Sequence, residues 1–300
     1  MADERDRWHR WLLEVRHGGD PQAHEQMLRT LAPVRDEVLD RARLQPSDTL
    51  LDVGTGDGLI AFGALERLGP DGRVIFSDIS ADLLAYCRES AEAAGEASRC
   101  VFVQASADNL TGIADASVDV VTTRSVLIYV ADKAAAFAEF RRVLRPGGRV
   151  SLFEPINVLM DGCGTRLLYG YDVSAVADLA AKVSARFAAI QPPGRDPMLD
   201  FDDRDLVALA ERAGFADVRL DLRVTVGTRK APVAWDRFVR QSGNPHLPPL
   251  GELLADVLSP AELAEFTAHL RPLVESGDGE SRRAVAYLTA SDSVIIPDAE

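Results

Sequence analysis

Cysteine is scarce in this chain of 300 residues: Cys87, Cys100 and Cys163 are all there is. No C-x-x-C spacing links them and an odd number cannot pair completely. Neither a disulfide framework nor a zinc ligand set is therefore expected, and three small thiols in a reducing compartment are. Positive charge is short as well. Against 33 Lys and Arg stand 47 Asp and Glu, for a formal net charge of -14 and a pI near 4.9. Affinity for a phosphate backbone rests on clustered cations displacing counterions, so a tRNA or DNA substrate is disfavoured. Nor is there an apolar run approaching the roughly 20 residues that cross a bilayer. The N-terminal MADERDRWHRW is charged where a signal peptide would be apolar. A cytoplasmic protein without membrane insertion is expected.

What the chain does have is core material: 47% hydrophobic residues, enough to rule out disorder over most of its length. Its size fits one α/β domain with insertions, or that domain plus a subordinate lobe. Residues 1–45 place Trp8, Trp11, Leu12 and Val15, then Met27, Leu28, Leu31, Val34, Val38 and Leu39, at helical spacing. This reads as an N-terminal helical cap. From Thr49 short apolar strands alternate with amphipathic helices: TLLDV, LIAFGALERL, RVIFSD, ADLLAYCRESAEAAG, CVFVQA, VDVVTT, KAAAFAEFRRVL, GRVSLFE. Such an order predicts a doubly wound, mostly parallel sheet with right-handed crossovers over a core spanning 46–155. The alternation stops in an irregular insertion, 156–201. A helix and strand over 202–226 resume the sheet, a Pro-rich second insertion covers 227–281, and a last strand begins the segment 282–300. The two insertions, expected to form helices in spite of their irregular stretches, and the N-terminal helices are expected to cap the crevice at the carboxyl edge of the sheet.

At the first strand-to-helix turn stands Leu51-Asp52-Val53-Gly54-Thr55-Gly56-Asp57-Gly58. Glycines at alternate positions allow positive φ and leave no side chain between backbone and ligand. The dinucleotide fingerprint G-x-G-x-x-G requires glycine at position 59, where Leu59 stands, and the third glycine comes one residue early at Gly58. A nicotinamide dinucleotide is therefore the weaker of the two ligands that compete for such a loop.

In order after this loop come Phe76-Ser77-Asp78-Ile79, Ala105-Ser106-Ala107-Asp108-Asn109-Leu110, Asp119-Val120-Val121-Thr122-Thr123-Arg124-Ser125-Val126-Leu127 and Arg142-Val143-Leu144-Arg145-Pro146-Gly147-Gly148-Arg149. Together with D-V-G-T-G-D-G, this set resembles the motifs of class I S-adenosylmethionine-dependent methyltransferases over residues 48–155. It is most similar to the small-molecule, ubiquinone/menaquinone-like branch. The resemblance implies a Rossmann-like seven-stranded sheet and S-adenosyl-L-methionine as cofactor, with S-adenosyl-L-homocysteine as product. It also implies methyl transfer to an O, N or C atom of a small organic acceptor. A noncatalytic S-adenosylmethionine-binding accessory protein is the alternative of a different class. Carried over by motif, Asp52, Gly54, Thr55 and Gly56 face the methionyl end of the cofactor, and Asp78 with Ile79 faces the ribose and adenine. Ser106, Ala107 and Asp108 form the adenine region, either Ser106 or Asp108 taking the amino group, and the backbone of Thr123 and Arg124 faces the methionyl amine.

In-line displacement from a sulfonium needs nucleophile, carbon and sulfur collinear, and O or C nucleophiles must also lose a proton. The topology nominates His17, Glu154 and Tyr129 as catalytic candidates. Two of them have plainer readings, His17 as a loop residue and Glu154 as a strand-end residue making local hydrogen bonds. Arg124, Asn157, Tyr169 and Tyr171 are candidates for substrate contact. Arg124 needs either a substrate anion or an acid such as Asp52 or Asp57 as partner, while Tyr169 and Tyr171 are either lid packing or aromatic walls. His246, flanked by prolines, reads as surface loop. No metal cluster is indicated, and Trp8 and Trp11 can pack on their own domain or on a second copy of the chain in a homodimer.

Overall fold

The computed structural model describes residues 5–16, 18, 20–159, 166–192, 195–228 and 230–292. Five strands come first, β1 (Thr49–Val53), β2 (Arg73–Asp78), β3 (Cys100–Gln104), β4 (Val118–Arg124) and β5 (Leu144–Pro155). A small hairpin follows, β6 (Leu167–Leu168) and β7 (Tyr171–Asp172), then β8 (Asp217–Gly227) and β9 (Ser281–Ser291). The main sheet has seven strands in the order β3-β2-β1-β4-β5-β9-β8. β9 runs antiparallel between β5 and β8, and the other pairings are parallel. The strand order reverses beside β1, and it is at such a switch point that open α/β sheets place their ligands.

Alternate side chains of each strand supply two cores, as the two-residue period requires. Leu51, Val121 and Leu152 face one side, against Phe137 and Phe140 of helix Lys133–Val143 and Leu206 and Leu209 of helix Asp203–Arg212. Leu50, Phe76 and Val120 face the other, against Val38 and Leu39 of the long helix Pro21–Ala42 and Ile60 and Leu65 of helix Leu59–Leu65. Both faces are covered, which is why the strands read as nearly unbroken apolar runs. Asp202 and Asp205 close a capping box at the start of helix Asp203–Arg212, a local signal that resumes the fold after the first insertion.

The insertions form a third core of their own. Leu179, Ala180 and Val183 of helix Ala177–Ile190 pack with Trp235, Leu253, Leu254, Phe266 and Leu270 from helices of the second insertion. That helix lies inside the stretch read from sequence as irregular. Its apolar face was hidden by the Gly and Pro residues on either side, although the spacing of Leu179, Ala180 and Val183 is helical. Lys133 joins this lobe to the sheet: its ammonium donates to the carbonyls of Val130 and Pro197, each at 3.0 Å, and pairs with Asp200. Among the described residues no helix is long and apolar enough to cross a membrane, and no group of three or more His, Cys, Asp or Glu side chains is placed to hold a metal ion.

Candidate functional site

A cavity of about 560 Å³ opens at the carboxyl edge of the sheet. Its floor is Gly54 and Gly56 after β1, Asp78 and Ile79 at the end of β2, Ala105 to Asp108 after β3, Arg124 to Val126 after β4 and Pro155 after β5. The sheet order brings these five strand ends side by side, though up to about a hundred residues of chain separate them.

The glycine loop is shaped by backbone geometry. Gly54 has φ +64°, and a Cβ there would sit 2.5 Å from a methyl of Val126. Gly58, at φ +84°, starts helix Leu59–Leu65 from a left-handed conformation, with Phe62 closed over it. The loop is clamped from behind: the Thr55 amide donates to the Ser77 carbonyl at 2.9 Å, and the Gly56 amide to the Asp78 carboxylate at 2.9 Å. Asp78 also accepts from the Ser80 amide at 2.9 Å, and its burial pushes its pKa up in spite of these bonds. A carboxylate at the cavity wall, held by two amides, is suited to accept further hydrogen bonds from vicinal hydroxyls.

Asp52 stands elsewhere than its motif position led one to expect. Its carboxylate lies behind the loop, accepting from the hydroxyls of Thr55 and Thr122 at 2.9 Å each, and is absent from the cavity wall. Burial pushes its pKa up to about 7. Asp52 thus shapes the loop and does not itself face the cavity. Thr55 is buried beside it, and Thr123 is likewise turned inward. Ile79 is exposed at the cavity mouth, Ala107 is buried in its floor, and Ser106 donates its hydroxyl to Asp108, so the two adenine-region candidates are bonded to each other.

The expectation that Glu154 acts as a catalytic group is corrected. It is 0% exposed and does not border the cavity. Its carboxylate accepts from the amides of Val126 at 2.9 Å, Leu127 at 3.0 Å and Ile128 at 3.4 Å and from the Thr123 hydroxyl at 3.2 Å. Ser125, at φ +58°, turns the chain off β4 so that these amides converge. Desolvation outweighs the bonds and pushes the Glu154 pKa up to about 7. The residue anchors the turn that carries Val126, Ile128 and Tyr129 to the cavity wall.

Tyr129 does line the cavity. Burial pushes its pKa up to about 12, so the phenol stays protonated at neutral pH. Trp8 and Trp11 pack edge-on against it, with ring centroids 5.0 and 6.4 Å away. They therefore pack on their own chain. Asn157 lines the cavity too, its amide donating to the Met198 carbonyl at 3.1 Å. Tyr169 and Tyr171 are a second correction: both are away from the cavity, edge-on to Phe238 in the lobe formed by the insertions. His17 lies outside the described residues, as does Cys163. His246 Nδ1 accepts from the Arg7 guanidinium at 3.2 Å, and its ring lies edge-on to Trp8.

Wall contributors that the motifs did not indicate include Trp8, Trp11, Leu12 and Arg16 of the N-terminal segment, Leu83, Ile128, Val130 and Ala131 of the core, and Met198 and Gly243 of the insertions. Residues Arg7–Val15 form a short helix with a π turn, held at both ends. Asp6 accepts from the Ser80 hydroxyl at 2.6 Å, and the Trp11 indole donates to the Ser242 carbonyl at 3.1 Å. The segment thus bridges the start of helix Ala81–Ala93 and the second insertion. The i, i+3 spacing of Trp8 and Trp11 marked an apolar helix face, but nothing local told core from cavity.

The chain matches a methyltransferase domain over residues 51–152. It is 34% identical over 210 residues to a nocamycin O-methyltransferase of Saccharothrix syringae, covering 68% of this chain and 72% of that protein. To an arsenite methyltransferase of Halobacterium salinarum it is 33% identical over 183 residues, 55% of this chain and 45% of the relative. A ubiquinone/menaquinone biosynthesis C-methyltransferase of Xanthomonas oryzae is 38% identical over 113 residues, 38% of this chain and 44% of the relative. Against these last two the chain spans less than half the relative's length. Among solved structures, geranyl diphosphate methyltransferase in complex with S-adenosylmethionine superposes with a TM-score of 0.51 at 18% identity, over 92% of this chain and 94% of that one. The [4+2]-cyclase SpnF does so with 0.52 at 21%, over 89% and 83%. These two share the fold alone, and their different reactions show that the fold does not fix the chemistry. Motif order, sheet topology and the O-methyltransferase match over most of both chains agree: this chain belongs to the class I S-adenosylmethionine-dependent methyltransferases.

Proposed function

We propose that this protein transfers the methyl group of S-adenosylmethionine to an O, N or C atom of a small organic acceptor. The observation that carries the reading is the cavity itself. One half is the glycine loop with Asp78, Ile79, Ala107 and Asp108; the other is an aromatic and apolar chamber of Trp8, Trp11, Tyr129 and Met198 with two arginines. The cofactor, when bound, supplies an electrophilic methyl on a sulfonium. Gly54 and Gly56 let it approach the backbone, and Asp78 is the acceptor for its ribose hydroxyls. Ile79 and Ala107 offer apolar surface to a flat base, with Ser106 and Asp108 at its edge. The backbone of Thr123 and Arg124 borders the methionyl side.

The chain's remaining contribution is position and exclusion of water. Among the described cavity residues there is no His, Lys or Cys, and the only carboxylates are Asp78 and Asp108. Tyr129, kept protonated, is a hydrogen-bond donor to the acceptor and not a base. In this reading the N-terminal segment 5–16 and the insertions 156–201 and 227–281 are the cap, while helix Pro21–Ala42, expected from sequence in the cap, packs on the sheet and joins 46–155, 202–226 and the last strand of 282–300 in the core. The acidic chain works on a small molecule in the cytoplasm, without nucleic acid. The packing of Trp8 and Trp11 on their own chain supports a site completed within one copy, whether or not a homodimer forms.

Calorimetry with S-adenosylhomocysteine tests the cofactor half. The wild-type protein is expected to bind, and Asp78→Ala to lose roughly 30-fold or more in affinity, the cost of removing a charged acceptor from buried donors. No binding by the wild type would refute the reading. The noncatalytic alternative predicts binding without turnover, and a methylated product from any acceptor excludes it.

A further inference from the structure

This inference rests on the methyl-transfer reading and concerns what the acceptor must carry. Two guanidiniums border the same chamber, Arg124 at the end of β4 and Arg16 at the end of the N-terminal segment. Arg16 lies over the Trp11 ring, its Cζ 4.9 Å from the centroid. Burial holds the Arg16 pKa below its usual value, and the charge of Arg124 lowers it further, while Tyr129 and Asp57 act the other way. Neither Arg16 nor Arg124 has a carboxylate within ion-pair distance among the described residues. Other arginines near the sheet are paired, Arg142 with Glu139 at 2.7 Å and Arg149 with Asp48.

Two like charges converging in a cavity with apolar walls repel and are partly stripped of water, so the arrangement calls for a counter-charge. Asp57 is near enough to act on Arg16 through its charge, and the acids of the cavity floor and the turns behind it are engaged otherwise. Asp52 accepts from Thr55 and Thr122, Asp78 from the amides of Gly56 and Ser80, Asp108 from Ser106 and Glu154 from the turn at Val126. The cofactor brings one carboxylate together with an ammonium and a sulfonium, so its arrival adds positive charge to the cavity. We propose that Arg16 and Arg124 form an oxyanion-binding site on the acceptor side, and that the acceptor of this enzyme carries a carboxylate or a phosphate. Guanidiniums suit such a group because their planar N–H pairs match its oxygens. Trp8, Trp11, Tyr129 and Met198 then cover the acceptor's apolar body.

The test uses the full chain saturated with S-adenosylhomocysteine and follows tryptophan fluorescence, since Trp8 and Trp11 border the chamber. The probes are 4-hydroxybenzoate and phenyl phosphate, with 4-hydroxybenzamide and phenol as neutral counterparts. The anionic probes are expected to bind at least about tenfold more tightly than the neutral ones, the increment of a charge-assisted pair. The preference should fall away in Arg16→Met and Arg124→Met and return in part in Arg124→Lys. If the homocysteine product binds the wild type and no anion preference appears, the oxyanion site is refuted and the methyltransferase reading stands. If the preference is absent and the Met variants lose S-adenosylhomocysteine instead, the guanidiniums serve the cofactor's own carboxylate and the proposal is overturned. A wild type that binds no S-adenosylhomocysteine sinks the methyl-transfer reading and this proposal with it.

Discussion

Glu154 shows how one buried carboxyl can be mistaken for chemistry. An acid at the end of a strand in the ligand crevice is a fair candidate for a base, and only the three amides and one hydroxyl aimed at it reveal an anchor. Glu154→Gln keeps the shape but sets an NH₂ group among donors. It should cost about 1–3 kcal/mol of unfolding free energy, the penalty for unsatisfied buried polar groups, measured by urea denaturation. Its pH dependence has a definite sign. The folded pKa, about 7, stands above the ordinary value of 4.5. The folded state therefore binds more protons between those values, and this contribution to stability falls as pH rises through the window and is gone above it. Asp52 adds a contribution of the same sign, its pKa raised from 3.8 to about 7. Melting temperatures across pH 4.5 to 7 should show a shallower decline in Glu154→Gln than in the wild type; equal slopes would assign the effect elsewhere. At Tyr129, removal of the hydroxyl in Tyr129→Phe should lower kcat by roughly 10-fold or more if the phenol donates to the reacting acceptor. A pKa near 12 leaves the wild-type rate profile without a tyrosine limb at neutral pH, and a limb near pH 7 that vanishes in the Phe variant would contradict a protonated donor.

At the scale of elements, the N-terminal segment is the piece whose role is most separable from the fold. It touches the core through Trp11, Leu12 and Leu83 in a small cluster apart from the two sheet cores. Trp11→Ala removes an indole that packs on Tyr129 and donates to Ser242. The truncation forfeits about 3–5 kcal/mol of local docking, so residues 5–16 should become sensitive to limited proteolysis while the global urea midpoint moves little. A large fall in that midpoint would make the segment part of the core. The joint between sheet and inserted lobe offers the complementary case. Lys133 is 6% exposed and satisfied by two carbonyls and Asp200, itself 39% exposed on its side chain. Lys133→Met should destabilise by about 2 kcal/mol, less than a wholly buried pair because water reaches Asp200. Differential scanning calorimetry should resolve whether the lobe then melts first.

For the whole molecule, the sheet and its switch point were legible before any coordinates. A strand is recognised by its own residues, a glycine loop by its local φ demands, and the order of strand and helix leaves few topologies for a right-handed crossover fold. The seven strands accordingly appear where the apolar runs stand, and the ends of β1, β2, β3 and β4 bring Gly54, Asp78, Ala107 and Arg124 to one cavity. What surrounds that floor was not legible, for a physical reason. Whether Tyr169 and Tyr171 enclose a substrate or each other's lobe depends on Phe187 and Phe238, far along the chain and unmarked by any motif. The same holds for Trp11, whose partner Ser242 is 231 residues away. Short-range turn geometry and periodicity were enough to read the fold class from the sequence, and the resemblance of its ordered motifs to the methyltransferases implied the cofactor. It took the folded chain to bring Asp52 and Glu154 to the protein's own hydroxyls and amides, and Arg16 and Arg124 to one chamber. Each of those facts is a pairing across the fold, and a pairing is settled by which surfaces the packed core brings together.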